Sequence, residues 1–121
     1  MTGEKVLVLG ASENEARYSN KAMKLLLENS YRVYAVGRKA GEVDGVIIHS
    51  KPVALEGIDT ITLYLRAENQ REYYNYVESI RPRRVIFNPG AENPEYMSRL
   101  LSMGIQVEES CTLVMLNMGV F

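Results

Sequence analysis

Tryptophan is absent from the 121 residues, and cysteine and histidine occur once each, as Cys111 and His49. A lone cysteine excludes an internal disulfide, so a reducing cytoplasm is the expected compartment. One histidine with no second cysteine beside it excludes the Cys/His sets that hold zinc or build a Cys–His nucleophile. No apolar run approaches the roughly 20 residues of a membrane-spanning helix. The opening MTGEKVLVLG lacks the basic, apolar and cleavage-site layout of a secretory leader. Neither sign of charge is in excess. Fourteen basic and fifteen acidic residues give a net charge of -1, which argues against a generic nucleic-acid surface. Glycine is also thin where it would be most telling. A dinucleotide fingerprint needs G-x-G-x-x-G after the first strand, and Gly10 stands there alone, with Ser12 and Glu15 in the later places.

What the chain does have is a regular alternation of apolar runs and amphipathic stretches. Lys5 to Leu9 is apolar without alternation, as a parallel strand covered on both faces requires. Gly10 is read as its end. Ala22, Met23 and Leu25 to Leu27 form a broad helical stripe over Asn20–Asn29, with Ser19 or Asn20 as the cap. Tyr31 to Val36 reads as a second strand ending at Gly37. Gly41 and Gly45 mark turns before a third strand, Val46–Ile48, and Pro52 opens a brief helix ending near Gly57.

Ile58 to Leu65 is a fourth strand, rich in β-branched residues. Tyr73, Tyr76, Val77 and Ile80 then repeat at helical spacing within Glu68–Ile80, stopped by Pro82. That places Tyr73 and Tyr76 in the core and Tyr74 at the surface or an interface. Val85 to Asn88 is a fifth strand. Asn93, Pro94 and Gly104 punctuate a helix, and Ile105 to Glu108 is a sixth strand. The pattern predicts one α/β domain over residues 1–121, Rossmann-like and three-layered. Its parallel sheet of five to six strands has the order 3-2-1-4-5-6, with helices on both faces.

In such sheets a ligand lies at the carboxyl ends of the strands, where the order reverses. That point gathers Gly10 to Asn20, Gly37 to Ala40, Leu65 to Glu68 and Asn88 to Gly90. A helix starting beside the first loop offers free N–H groups and a partial positive charge to phosphate. Where an NAD site would place a carboxylate on the ribose, this chain has Arg38 and Lys39. Two cations there suit an extra phosphate on the adenosine ribose, carried by NADP and by coenzyme A; the bland alternative is a solvated turn. Arg17 is the better anion ligand of the first loop, and Arg66 the one later arginine near enough to matter.

The run VLVLGAS…RYSNKAM, the V-G-R-K turn, I-F-N-P-G after the fifth strand and Glu109-x-Cys111 resemble the CoA-binding domain family. Within it the likeness is to its small stand-alone bacterial (YccU-like) members. The same domain forms the N-terminal part of the succinyl-CoA synthetase alpha subunit. The resemblance implies coenzyme A with its pyrophosphate over Gly10, Ala11 and Ser12 and the R-Y-S-N segment (Arg17, Tyr18, Ser19, Asn20). It puts adenosine near Gly37, Arg38 and Lys39, and the pantetheine arm past Leu65, Arg66 and the Asn88-Pro89-Gly90 loop. Two departures touch this map: Gly37-Arg38 stands where relatives often have Asn-Pro, and Leu65-Arg66-Ala67 replaces the synthetases' proline-rich loop.

No catalytic constellation accompanies these residues. The expectation is a non-catalytic module that binds CoA or an acyl-CoA as carrier, sensor or partner subunit. The alternatives are a small NADP-binding reductase and a protein-interaction module. Cys111 reads as a small buried hydrophobe, or more sharply as a thiol near the end of the arm that exchanges disulfide with the CoA thiol. The apolar tail to Phe121 reads as packing on its own sheet, with a homodimer or an unknown protein partner as the other outcome. The partner expected first is a small nucleotide ligand, with no nucleic acid and no membrane.

Overall fold

The computed structural model describes residues 3–121. The apolar run at the start becomes β1 (Lys5–Ala11), the centre of the sheet. Val6 and Val8 join one core with Met23 and Leu26 of α1 (Tyr18–Glu28). Leu7 and Leu9 join the other, with Val85, Phe87, Tyr96 and Leu100. Successive residues of a strand face opposite ways, so a strand with a core on each side must be apolar throughout.

Around β1 stand β2 (Arg32–Gly37), β3 (Gly41–Val43), β4 (Val46–His49), β5 (Ile58–Leu63), β6 (Arg84–Phe87) and β7 (Gln106–Glu109). Among the described residues they form one sheet in the order β3-β4-β2-β1-β5-β6-β7. Every pairing is parallel except β3 with β4. The expected order is therefore present with one strand added at its edge. Gly41 lies in that extra strand and not in a turn. Asp44 and Gly45 make the turn, both with positive φ (47° and 88°), the two-residue geometry whose twist matches antiparallel neighbours.

Three further expectations are corrected. No helix forms after Pro52: the segment is irregular, and its carbonyls are taken by side chains, Val53 O by Tyr76 Oη (2.7 Å) and Glu56 O by Lys5 Nζ (3.1 Å). So short a stretch cannot nucleate a helix unaided. The helix over Glu68–Ile80 is broken into α2 (Ala67–Gln70), a 3₁₀ turn (Arg71–Tyr73) and α3 (Tyr74–Ile80). Gln70 is drawn inward at the break, its Nε2 donating to Leu65 O (2.8 Å) and Ala91 O (2.7 Å). Tyr74 is not free surface but half-buried. Its ring stacks on Tyr96 of α4 (Pro94–Ser102), with 3.7 Å between centroids.

The start of α4 follows its sequence signals, Asn93 Oδ1 accepting the Tyr96 N–H at 3.1 Å and Pro94 opening the first turn. The tail folds as α5 (Thr112–Asn117), burying Met115 and Leu116 beside α1. It packs on its own sheet. No helix among the described residues is long and apolar enough to cross a membrane.

Candidate functional site

The carboxyl ends of β2, β1 and β5 meet through two close backbone approaches. β1 does not stop at Gly10; it continues to Ala11 across a register irregularity. Gly10 has φ of +100°, and a Cβ there would lie 2.8 Å from Tyr64 O. A Cβ on Gly37 would strike the Ala11 carbonyl oxygen. Any side chain at either position would force the three strand ends apart, so the glycines set how flat and open this end of the sheet is.

From Ala11 the chain enters a loop built on its own polar side chains. Ser12 Oγ accepts the Asn14 N–H (3.0 Å) and Asn14 Oδ1 the Ala16 N–H (2.9 Å). Local bonds of this kind compete with helix, which delays α1 until Tyr18. Arg17 is the residue at its N-cap, in extended conformation, with no side chain capping the helix and no acidic residue in the first turn. Neither Ser19 nor Asn20 caps it; both lie inside the first turn and are buried. The free N–H groups of this turn are left for water or an anion. Asn20 Nδ2 donates to Ser12 O (3.0 Å), yet its buried Oδ1 has no partner. Tyr18 is 69% exposed beside it.

Arg38 and Lys39 follow β2 and are exposed. Tyr73, in the 3₁₀ turn beyond β5, feels the first of them. Its phenol is raised by burial and by Glu72, and the Arg38 charge pulls against both. Arg38 is thus close enough to this turn for its charge to be felt there. Among the described residues Arg17, Arg38 and Lys39 take part in no ion pair, whereas Arg66 is spent on Glu68 at 3.0 Å. Leu65 is half-buried and lies against Gly10.

Asn88 is buried and fully occupied. Its Nδ2 donates to Thr62 Oγ1 (2.6 Å) and Leu63 O (2.9 Å), and its Oδ1 accepts the Thr112 N–H (2.8 Å). It ties β5, β6 and the start of α5 into one bracket, leaving Pro89 and Gly90 as the exposed part of the loop. Asn88→Ala is expected to cost about 2–4 kcal/mol, since it strands two buried donors or acceptors. Urea unfolding of the two proteins measures it, and a loss below about 1 kcal/mol would mean no tight bracket exists.

Tyr64 sits next to this bracket with its hydroxyl buried and unpartnered. The Thr62 and Thr112 hydroxyls are near, but they are bonded to each other at 2.8 Å. Burial pushes the phenol up to about 12. A group whose folded value lies above its unfolded value near 10 stays protonated longer in the native state. Stability then falls as pH climbs from 10 toward 12. Tyr64→Phe should make that limb shallower, the rest coming from Tyr96, Tyr73 and Tyr76, whose phenols burial also raises; an unchanged limb would show that Tyr64 does not contribute to it.

Past the bracket, a cavity of about 100 Å³ opens at the carboxyl ends of β6 and β7, where Cys111 is half-buried rather than enclosed. A larger one, about 320 Å³, lies away from the strand ends between Pro52–Leu55 and α3. The buried bracket, Tyr64 and Tyr73 escape sequence reasoning. The Thr-x-Tyr spacing of β5 is an ordinary strand pattern, and nothing in it marks Thr112 as its partner fifty residues on.

The family described as "CoA binding domain" matches residues 4–117. A search of the curated proteins finds no match. Among solved structures, one described as an uncharacterized protein is 45% identical, with a TM-score of 0.95 and 98% of each chain covered. Another, described as cell-free ID.343 from Thermus thermophilus, is 23% identical with a TM-score of 0.86, covering 98% of this chain and 91% of that one. A hypothetical protein from Pyrococcus horikoshii is 26% identical with a TM-score of 0.81, covering 90% and 78%.

Proposed function

The chain belongs to the CoA-binding domain family, and from that premise we propose that it binds coenzyme A or an acyl-CoA across the carboxyl ends of its parallel strands. It does so as a carrier, sensor or partner module and catalyses no reaction on the ligand. The observation that carries this reading is the uncapped start of α1 with Arg17 at its N-cap, together with Arg38 and Lys39 after the neighbouring strand β2, none of the three in an ion pair among the described residues.

The residues present suit the ligand. Gly10, Ala11 and Ser12 leave backbone open beside the free N–H groups of Tyr18 and Ser19, where a pyrophosphate gains charge-assisted bonds. Gly37 lets the Ala11 carbonyl close against the end of β2, and Arg38 and Lys39 offer charge to a phosphate on the adenosine ribose. Asn20 Oδ1 is an acceptor and cannot meet a phosphate; it suits an N–H or O–H of the ribose or the arm. Leu65, with its apolar side chain, and the exposed Pro89-Gly90 edge beyond Asn88 flank the path for pantetheine. Arg66 would have to leave Glu68 to take part.

NADP would use the same cations, but the chain lacks the second and third glycines that bring a dinucleotide's pyrophosphate close. Calorimetry with CoA, dephospho-CoA, NADP and NAD in parallel tests the reading. CoA is expected to bind at least tenfold more tightly than NADP. Tighter binding of NADP, or heat from none of the four, would overturn it.

A further inference from the structure

Arg17, Arg38 and Lys39 stand where β1 and β2 finish, in mixed company: Glu15 there pairs with Lys24, and Glu13 accepts the Glu42 N–H at 2.8 Å. The cavity of about 100 Å³ at the far end of the sheet is lined by Phe87, Pro89, Glu92, Glu109, Ser110 and Cys111, whose charged members are both carboxylates. Glu92 is held in place, its Oε1 accepting the Gly90 N–H at 2.9 Å.

We propose that this cavity receives the thiol end of the ligand and disfavours an acyl group that carries a free negative charge; the proposal rests on the CoA reading above. At ~30 Å³ per water it has the room of about three waters, enough for a thiol or an acetyl group, and it opens to solvent beside exposed side chains, so it selects by charge and not by size. A dicarboxylic acyl thioester such as succinyl-CoA would bring its free carboxylate against Glu92 and Glu109. The reach agrees as well. With strands about 4.8 Å apart, the middle of the β6–β7 gap lies two and a half spacings, roughly 12 Å, from β1. A pantetheine arm has the chain bonds of about four residues and extends to roughly 13–14 Å.

Calorimetry at low salt with CoA, acetyl-CoA and succinyl-CoA tests this. Both carboxylates are exposed, so the penalty is several-fold rather than hundreds. Acetyl-CoA is expected within about threefold of CoA, and succinyl-CoA about fivefold or more weaker than acetyl-CoA. That gap should close when Glu92→Gln and Glu109→Gln are combined. Because Glu92 also steadies the loop, Glu109→Gln alone should close part of it. Cys111 is the chain's single thiol, so its alkylation, followed by intact mass, should slow in saturating acetyl-CoA. Equal affinity for the two thioesters, a gap that survives the double substitution, or an unshielded Cys111 would overturn the proposal. Absence of binding by all three compounds would instead remove the CoA reading and this assignment with it.

Discussion

Charge reversal at Arg38 and Lys39 together is expected to weaken CoA binding about 100-fold at low salt while leaving dephospho-CoA within about fivefold. Two charge-assisted contacts at about 1.5 kcal/mol each amount to roughly that factor. Exposure and salt pull the number down, whereas the repulsion introduced by two glutamates pulls it up. The contrast between the ligands decides the matter, because they differ only in the ribose phosphate. Calorimetry of Arg38→Glu/Lys39→Glu against both would show a large loss for one and a small loss for the other. Equal losses would mean that these side chains contribute a general field and read no phosphate, and the adenosine end would have to be placed elsewhere.

The sheet order was legible because each covered strand carries its own signature. Val6 to Leu9 and Val85 to Phe87 are apolar on both faces, β5 is rich in β-branched residues, and the helix after β6 is opened by Asn93 and Pro94 and closed by Gly104. What escaped was set by partners distant in sequence. Tyr74 faces away from its helix's apolar stripe, and only the arrival of Tyr96 turns that face into a packed one. Gln70 breaks its helix for a carbonyl at Ala91 and an amide at Asn93. The edge strand Gly41–Val43 holds too few apolar residues to announce itself, although Asp44-Gly45 beside it is a hairpin signal.

The candidate site divides along the same line. Gly10, Gly37 and the cations could be read locally, since a glycine after a strand and a basic pair after the next carry their meaning in place. The start of α1 could not. Asn20 looks like a cap, but Ser12 and Asn14 settle the loop first, and Asn20 is drawn inside to bond the Ser12 carbonyl. Asn88 is the sharper case: a polar residue at a ligand loop reads as a contact, yet both ends of its amide are used between Thr62, Leu63 and Thr112.

Gly10→Ala is expected to be the most damaging single substitution in the first loop, and three glycines allow its two causes to be separated. Gly90 has φ of +95° with open space around its missing Cβ, so Gly90→Ala should cost only the conformational strain, about 1 kcal/mol. Gly37 has no left-handed φ, but a Cβ there meets the Ala11 carbonyl. Gly37→Ala should therefore cost a backbone shift alone, but the overlap is deeper than at Gly10, so the cost is about 3 kcal/mol. Gly10 carries both burdens, φ of +100° and the Tyr64 carbonyl at 2.8 Å, and neither backbone can retreat without breaking the Tyr64 N–H to Leu9 O bond. Its substitution by alanine should cost about 3 kcal/mol, roughly 12 °C in Tm for a domain of this size. The same shift would separate β1 from β5 under the proposed pyrophosphate position, so CoA affinity should fall in Gly10→Ala even at temperatures where it stays folded. Thermal melts of the three variants with and without CoA give both readouts. If Gly10→Ala melts no lower than Gly90→Ala, the close approach of β1 and β5 is not what shapes this end of the sheet.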